Sequence, residues 1–178
     1  ALRRAASGDL PVYFVANTAG DIRRVLGLAE EIGFRPVILG GEEAWKVADE
    51  LKARRVPVLV SVTFPAPREW KPAQEQDTIA QAPDQGMEPG AAREKARLEN
   101  AYANPSRLAA AGITLALTSG GAGGDFRAGV AKAMEYGLSE GDALRAVTST
   151  PATLLEVPHL ATLRQGSVPV TEFRTGVI

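Results

Sequence analysis

The chain has 178 residues, of which 45% are hydrophobic and 23% charged, and these proportions are typical of a folded globular domain. Twenty basic and twenty-one acidic residues leave a net charge of -1 without a dense Lys/Arg cluster, so neither nucleic acid nor an anionic membrane is an expected partner. The chain has no cysteine and a single histidine, His159, which excludes disulfides and thiolate chemistry and leaves no imidazole cluster for a catalytic zinc.

Targeting and membrane signals are also absent from the printed sequence. No apolar run approaches the roughly 20 residues that a membrane span requires. The first residues, ALRRAASGDLPVY, lack the long apolar core of a signal peptide. A soluble protein is therefore predicted, and its compartment is left open.

Four apolar runs, each followed by a helical pattern, predict four consecutive βα units. The first run, LPVYFVAN, is almost continuously apolar, as expected for a strand buried on both faces of a parallel sheet. The predicted strands are residues 10–17, 35–41, 56–64 and 113–119. The predicted helices are residues 21–33, 42–55, 91–112 and 126–137, then two short helices within 138–157 that are broken at Pro151.

This alternation predicts an α/β fold with right-handed crossovers, either an open doubly wound sheet or part of a (β/α)8 barrel. The first βα turn, VANTAGD, has one glycine where a dinucleotide-binding fingerprint needs three, so a Rossmann domain is disfavoured. Residues 65–90 are polar and proline-rich, and they are predicted to form a long insertion loop.

Four stretches together resemble the C-terminal half of a metal-dependent amidohydrolase barrel, in the branch of imidazolonepropionase and Xaa-Pro dipeptidase-like enzymes. They are LPVYFVANTAGDIRRVLGLAEEIG, VILGGEEAWKVADELKARRVPVLV, LAAAGITLALTSG and GLSEGDALRAVTSTPATLLEV. The last is similar to the GLxxxxALRAxTxxPAxLLGV helix that follows the eighth strand of that family. The resemblance implies that the four strands are strands 5–8 of a TIM-type (β/α)8 barrel.

The resemblance also implies a domain organisation. Residues 1–178 form one half-barrel domain, with residues 65–90 as its insertion. Residues 166–178 are similar to the first strands of the small β-domain that follows the barrel in the family.

The same resemblance implies one or two divalent metals, held at the carboxyl ends of the strands. The family's histidine at the end of the fifth strand corresponds to Val15, and the histidine of the sixth strand corresponds to Gly40. The aspartate after the eighth strand, both metal ligand and general base, corresponds to Gly120. None of these residues can ligate a metal through its side chain, so no catalytic, cofactor or metal residue and no cofactor is assigned.

The glycine-rich loop in ALTSGGAGGDF has two interpretations. Gly120, Gly121, Gly123 and Gly124 can present amide groups to an anion at the start of a helix. No GK[ST] motif accompanies them, and Asp125 adds a negative charge, so a flexible turn is favoured, with Asp125 as a helix N-cap. The sequence does not determine whether Asp125 and neighbouring hydroxyl groups act together in a reaction that needs no metal.

Several other polar residues have structural interpretations. Asn17 is interpreted as a turn residue and Asp21 as a helix cap. Glu42 and Glu43 are interpreted as surface acids that complement the dipole of the helix they begin. His159 follows the last helix and is interpreted as a surface or structural histidine.

The two tryptophans are interpreted as packing residues. Trp45 fits the core face of its predicted helix. Trp70 lies in the proline-rich segment, where a local packing anchor is the default and a cover for a cleft or partner is the alternative.

These expectations combine into a noncatalytic amidohydrolase-like domain with a structural or scaffolding role in a larger protein. Exposed edges of the first and last strands and an uncovered concave face require a partner, either the remaining barrel half or a second copy. A metal-dependent hydrolase of amide C–N bonds, with ligands supplied by other sequence, is one alternative. A small-molecule or anion-binding module that uses the 119–125 loop is another.

Overall fold

A computed structural model describes residues 2–64, 89–121 and 125–161, and their core is a four-stranded parallel sheet in the order β1-β2-β3-β4. The strands are β1 (Pro11–Ala16), β2 (Arg35–Gly40), β3 (Val58–Ser61) and β4 (Leu115–Thr118). The α-helices are α1 (Leu2–Ala6), α2 (Ala19–Ile32), α3 (Ala48–Ala53), α4 (Pro89–Ala110), α5 (Phe126–Glu135), α6 (Glu140–Val147) and α7 (Ser149–Leu154). Two 3-10 helices span Ala44–Val47 and Pro158–Ala161.

Both ends of α2 are set by local sequence. Thr18 is the N-cap, and its hydroxyl accepts a hydrogen bond from the Asp21 amide at 3.1 Å while donating to the Asp21 carboxylate at 2.7 Å. The prediction of Asp21 as the cap is therefore wrong, because Thr18 caps the helix and Asp21 occupies its third position. Gly33 ends the helix with φ 91°, as predicted, and donates its amide to the Ala29 carbonyl.

Two predicted helices have different boundaries in the structure. Residues 42–55 do not form one helix, because Val47, the last residue of the 3-10 helix, departs from helical geometry (φ -124°, ψ 24°) before α3 begins. The break between α6 and α7 falls at Thr148 (φ -125°, ψ -81°) and not at Pro151. Pro151 lies in the first turn of α7, where its missing amide costs no helical hydrogen bond.

One face of the sheet, the helix face, packs against the helices and forms the hydrophobic core. Ile38, Val58 and Val60 are at most 1% exposed there. Helix residues that are also buried complete this core: Ile22, Leu26, Leu51, Leu108, Ala133, Ala143 and Ala146. Close approach of α5 is possible because Gly129 has no Cβ, which would lie 2.2 Å from the Val62 carbonyl oxygen.

The opposite face of the sheet, the inner face, carries an apolar row from all four strands. Val15, Leu39, Leu59 and Ala116 pair in register across the sheet, and each alternates with a residue of the helix face. Val15 is 78% exposed, whereas Leu39 and Leu59 are half-buried. This face is therefore uncovered near the carboxyl end of β1.

The opposite end of the inner face lies next to α7. The Tyr13 hydroxyl donates to the Leu154 carbonyl at 2.9 Å, and a cavity of about 480 Å³ there is lined by Val37, Thr153 and Leu154 among others. Burial and the negative charge of Glu156 raise the pKa of Tyr13. The end of α7 thus contacts the amino-terminal ends of the strands.

The predicted fold class is confirmed: four consecutive βα units build one parallel sheet. Most of the predicted loop 65–90 lies outside the described residues, although α4 already begins at Pro89. The predicted β-segment 166–178 lies outside them as well. The division into a half-barrel, an insertion and a second small domain therefore stays a prediction.

Candidate functional site

The carboxyl ends of the parallel strands bring the three positions that the resemblance matches to amidohydrolase metal ligands to one edge of the sheet. Val15 is the penultimate residue of β1, Gly40 is the last residue of β2, and Gly120 follows β4 by two residues. Active sites of (β/α)8 barrels form at this edge. Only Val15 presents a side chain there, and it is an isopropyl group on the inner face.

Gly40 has a backbone conformation that disfavours a side chain. Its φ is +92°, and a Cβ would lie 2.0 Å from the Oδ1 atom of Asn17. Asn17 lies in the short connection between β1 and α2, and its carbonyl accepts the Glu43 amide at 2.8 Å. A histidine at position 40 would need both a left-handed backbone and displacement of Asn17.

Gly120 is similarly constrained at the start of the glycine-rich loop. Its φ is +65°, and a Cβ would approach the Ser61 hydroxyl oxygen at 3.0 Å. The Gly120 amide donates to Thr118 Oγ1 at 3.1 Å, and the Ser119 carbonyl accepts from Thr63 Oγ1 at 2.8 Å. The amide of Gly120 is therefore already bonded within the protein.

Asp125 is the N-cap of α5, as predicted, and its carboxylate accepts the Ala128 amide at 3.1 Å. This capping puts a negative charge at the helix start, where an anion would otherwise bind. Gly123 and Gly124 lie outside the described residues. The bonded Gly120 amide and the Asp125 carboxylate therefore both disfavour a phosphate or carboxylate ligand at this loop.

Within 2–64, 89–121 and 125–161, no group of three or more His, Asp or Glu side chains could hold a metal ion. His159 is exposed in the second 3-10 helix, after α7.

A cavity of about 430 Å³ lies at the carboxyl ends of β2 and β3, and we call it the rim cavity. Its walls are the turn after β2, the residues that end and follow β3, and one side of α4. They include Glu42, Trp45, Phe64, Arg93, Arg97 and Asn104. Clefts of this volume at the carboxyl edge of a parallel sheet are common ligand sites.

Asn104 joins the two sides of the rim cavity. It is only 1% exposed, its Nδ2 donates to the Gly41 carbonyl at 2.8 Å, and its Oδ1 accepts the Trp45 amide at 3.2 Å. Pro105, the next residue, is also buried and cannot donate an amide to the Ala101 carbonyl. A single amide side chain thus fixes α4 against the turn after β2.

Glu43 acts on a different helix from the one predicted. Its carboxylate accepts the amide of Ala19, the first residue of α2, at 3.1 Å and pairs with Lys46. The hydrogen bond from Lys46, followed by that from Ala19, lowers the pKa of Glu43. The predicted interaction with a helix dipole exists, but the helix is α2.

Arg97 lies on the α4 wall with a carboxylate partner on the same helix. Its Nε and Nη2 atoms donate to Glu94 at 3.0 and 2.9 Å. This hydrogen bonding raises the pKa of Arg97, and the negative charge of Glu42 across the cavity contributes in the same direction. Glu42 and Arg97 thus lie on two walls of the same cavity.

Trp45 belongs to the cavity wall, and its predicted place on a core-facing helix is wrong. The indole ring is half-buried, with the Arg107 guanidinium 4.6 Å from its centroid and Lys46 Nζ at 5.6 Å. The position of Trp45 is determined by its contacts with α4. Trp70 lies outside the described residues.

The residues of the α4 wall were not singled out from the sequence. Arg93, Arg97, Asn100 and Asn104 are spaced i, i+4, i+7 and i+11, which puts them on one side of a helix. That spacing was readable in the sequence. Its association with the turn after β2 was not, because it depends on long-range contacts.

Comparisons with known proteins bear on the fold. No protein-family profile matches the sequence, and no curated protein matches it. In the described residues no helix has both the length and the apolar character for crossing a membrane. The fold is similar to a crystal structure of an amidohydrolase from Thermotoga maritima MSB8, with a TM-score of 0.63 and 24% sequence identity. The match covers 88% of this chain and 35% of that chain, so this chain has the fold of part of an amidohydrolase, a parallel α/β arrangement consistent with a partial TIM-type barrel.

Proposed function

We propose that the chain is a noncatalytic amidohydrolase-like domain, corresponding to strands 5–8 of the barrel, whose role is structural within a larger protein. The observation that carries this proposal is the carboxyl edge of the sheet. Val15, Gly40 and Gly120 offer no side-chain donor atom, and the last two adopt left-handed backbone that a ligating side chain would strain. The fold is similar to that of an amidohydrolase, and the three described positions that the resemblance matches to strand-end metal ligands carry no donor side chain, which supports the proposal.

The inner face supports an association role. The row Val15, Leu39 and Leu59 is apolar, and Val15 is largely exposed. In a closed barrel such residues pack against those of the other strands. We therefore propose that the inner face and the edges of β1 and β4 are covered by the remaining barrel half or by a second copy of this chain.

The first experiment measures bound metal in the purified chain by elemental mass spectrometry after equilibration with Zn²⁺ or Mn²⁺. We expect far less than one equivalent, because no described cluster of acids and histidine is available. Near-stoichiometric metal would contradict the noncatalytic assignment and favour the hydrolase alternative. Gel-filtered protein without chelator treatment serves as the comparison sample.

The second experiment measures molar mass by light scattering over a range of protein concentrations. We expect self-association that Val15→Asp abolishes, since it introduces a charge on the inner face. Leu144→Asp is the matched control, because Leu144 is 62% exposed on α6 outside the sheet and should not affect mass. A monomer at all concentrations would exclude a second copy as the cover and leave the remaining barrel half, whereas equal loss of association in both variants would contradict association through the inner face.

A further inference from the structure

Most charges around the rim cavity are already neutralised by protein partners. Glu43 pairs with Lys46, and its carboxylate also accepts the Ala19 amide. Arg97 is bound through two nitrogens by Glu94. These groups are therefore poor candidates for direct ion pairing with a ligand.

Two charged side chains on opposite walls lack such partners. In the part of the chain that the structure describes, Arg93 on α4 and Glu42 after β2 make no ion pair or hydrogen bond. Glu42 influences Arg97 only through its charge across the cavity. One cation and one anion thus face the same space from its two sides.

The cavity also has apolar and hydrogen-bonding surface between these charges. Trp45 and Phe64 provide aromatic surface, and Ala96 leaves room along α4. The Phe64 ring is held edge-on to Tyr102 at 5.0 Å between centroids, so it is a fixed part of the wall. A volume of about 430 Å³ is sufficient for a small aromatic molecule.

We propose that the rim cavity binds a small zwitterion of the α-amino acid type, with its carboxylate on Arg93, its ammonium on Glu42 and an aromatic or apolar side chain against Trp45. Opposite charges on the two walls favour a ligand that carries both charges over one that carries either alone. The proposal does not depend on the association of the inner face. It assigns a binding site outside the row of residues that a barrel partner would cover.

The test uses Trp45 fluorescence in a Trp70→Phe background, in which Trp45 is the remaining tryptophan. The probes are phenylalanine, 3-phenylpropionate, which lacks the ammonium, and phenethylamine, which lacks the carboxylate. We expect saturable changes with phenylalanine and affinities about tenfold or more weaker with the other two probes. Absence of a saturable response to phenylalanine, or equal affinity for all three probes, would overturn the proposal.

Two variants assign each charge to its partner. Glu42→Gln should remove the preference for phenylalanine over 3-phenylpropionate, and Arg93→Ala should remove the preference over phenethylamine. Arg127→Ala is the control, because Arg127 is exposed on α5 and does not line the cavity. Preferences that persist in both variants would place the zwitterion elsewhere and overturn the assignment.

A third pair of variants tests whether the ligand occupies the rim cavity. Ala96→Phe fills the cavity from α4 and should prevent binding, whereas Ala92→Phe changes an exposed residue of the same helix that does not line it. Circular dichroism checks that both variants keep the fold. Unchanged affinity in a folded Ala96→Phe variant would overturn the proposed location. None of these readouts depends on metal content or molar mass, so this proposal and the proposed function can fail separately.

Discussion

The helix face and the inner face of the sheet are built from similar aliphatic residues, but they differ in what covers them. Ile38 on the helix face is fully buried beneath α2 and its neighbours, whereas Val15 on the inner face is 78% exposed. Burial of apolar area is the main stabilising contribution to a fold. The comparison therefore separates residues that stabilise this chain from residues that are available to a partner.

The largest expected effect is the difference in lost stability between a substitution on the helix face and one on the inner face. Ile38→Ala should lower the free energy of unfolding by about 2–5 kcal/mol, because it leaves a cavity in a closely packed core. Val15→Ala should change it by less than about 0.5 kcal/mol, because the side chain is mostly in water. Urea denaturation of both variants at a concentration where the chain is monomeric measures the difference. Equal losses would contradict the assignment of the two faces.

The second prediction concerns how closely the helices approach the helix face. Gly129→Ala should destabilise by about 3 kcal/mol, because the new Cβ would collide with the Val62 carbonyl oxygen, which cannot rotate away. Gly27→Ala, on the outer side of α2 with no atom within 4 Å, should stabilise by about 0.5–1 kcal/mol. Thermal unfolding should therefore move in opposite directions. A loss in both variants would mean that helix geometry, and not contact with the sheet, requires glycine.

Much of the helix face could be predicted from the sequence, whereas the rim cavity could not. Apolar runs and caps such as Gly33 and Asp125 are local signals, so the strands and most helices were predictable, whereas the order of the strands in the sheet was implied only by the family resemblance. Thr18 and Asp21 are both good capping residues, and their spacing, a threonine three residues before an acid, was the signal that distinguished them. The position of Trp45 depends on Asn104, which lies 59 residues later in the chain, and no local pattern specifies that contact.

A third prediction tests that long-range contact. Asn104→Ala should destabilise by about 2 kcal/mol, because the Gly41 carbonyl and the Trp45 amide both lose a buried partner. The emission of Trp45 should also shift in a Trp70→Phe background. Asn100→Ala, on the same side of α4, removes an exposed hydrogen bond to Arg107 and should change stability by less than about 0.5 kcal/mol. Equal effects would show that Asn104 does not hold the cavity walls together.

The smallest expected effect is the pH dependence that Glu43 contributes at the start of α2. Its pKa lies below the ordinary value of 4.5, mainly because Lys46 and then the Ala19 amide hydrogen-bond to the carboxylate. A lowered folded-state pKa stabilises the protein above the unfolded value, and this contribution is lost as pH falls through the folded value. It should remain below about 1 kcal/mol, because 38% of the side chain is exposed and water screens the interaction.

The measurement compares the free energy of unfolding of the wild type and Glu43→Gln at a series of pH values from neutral to acidic. The wild type should be more stable at neutral pH, and the difference should shrink as pH falls below the ordinary pKa of glutamate. Glu42→Gln is the matched control, because Glu42 is the adjacent acid, has no hydrogen-bonded side-chain partner among the described residues and should change the stability by less than about 0.5 kcal/mol. A difference in the free energy of unfolding between the wild type and Glu43→Gln that does not change with pH would mean that the carboxylate charge does not stabilise the amino terminus of α2. A neutral hydrogen bond to the Ala19 amide would then be sufficient.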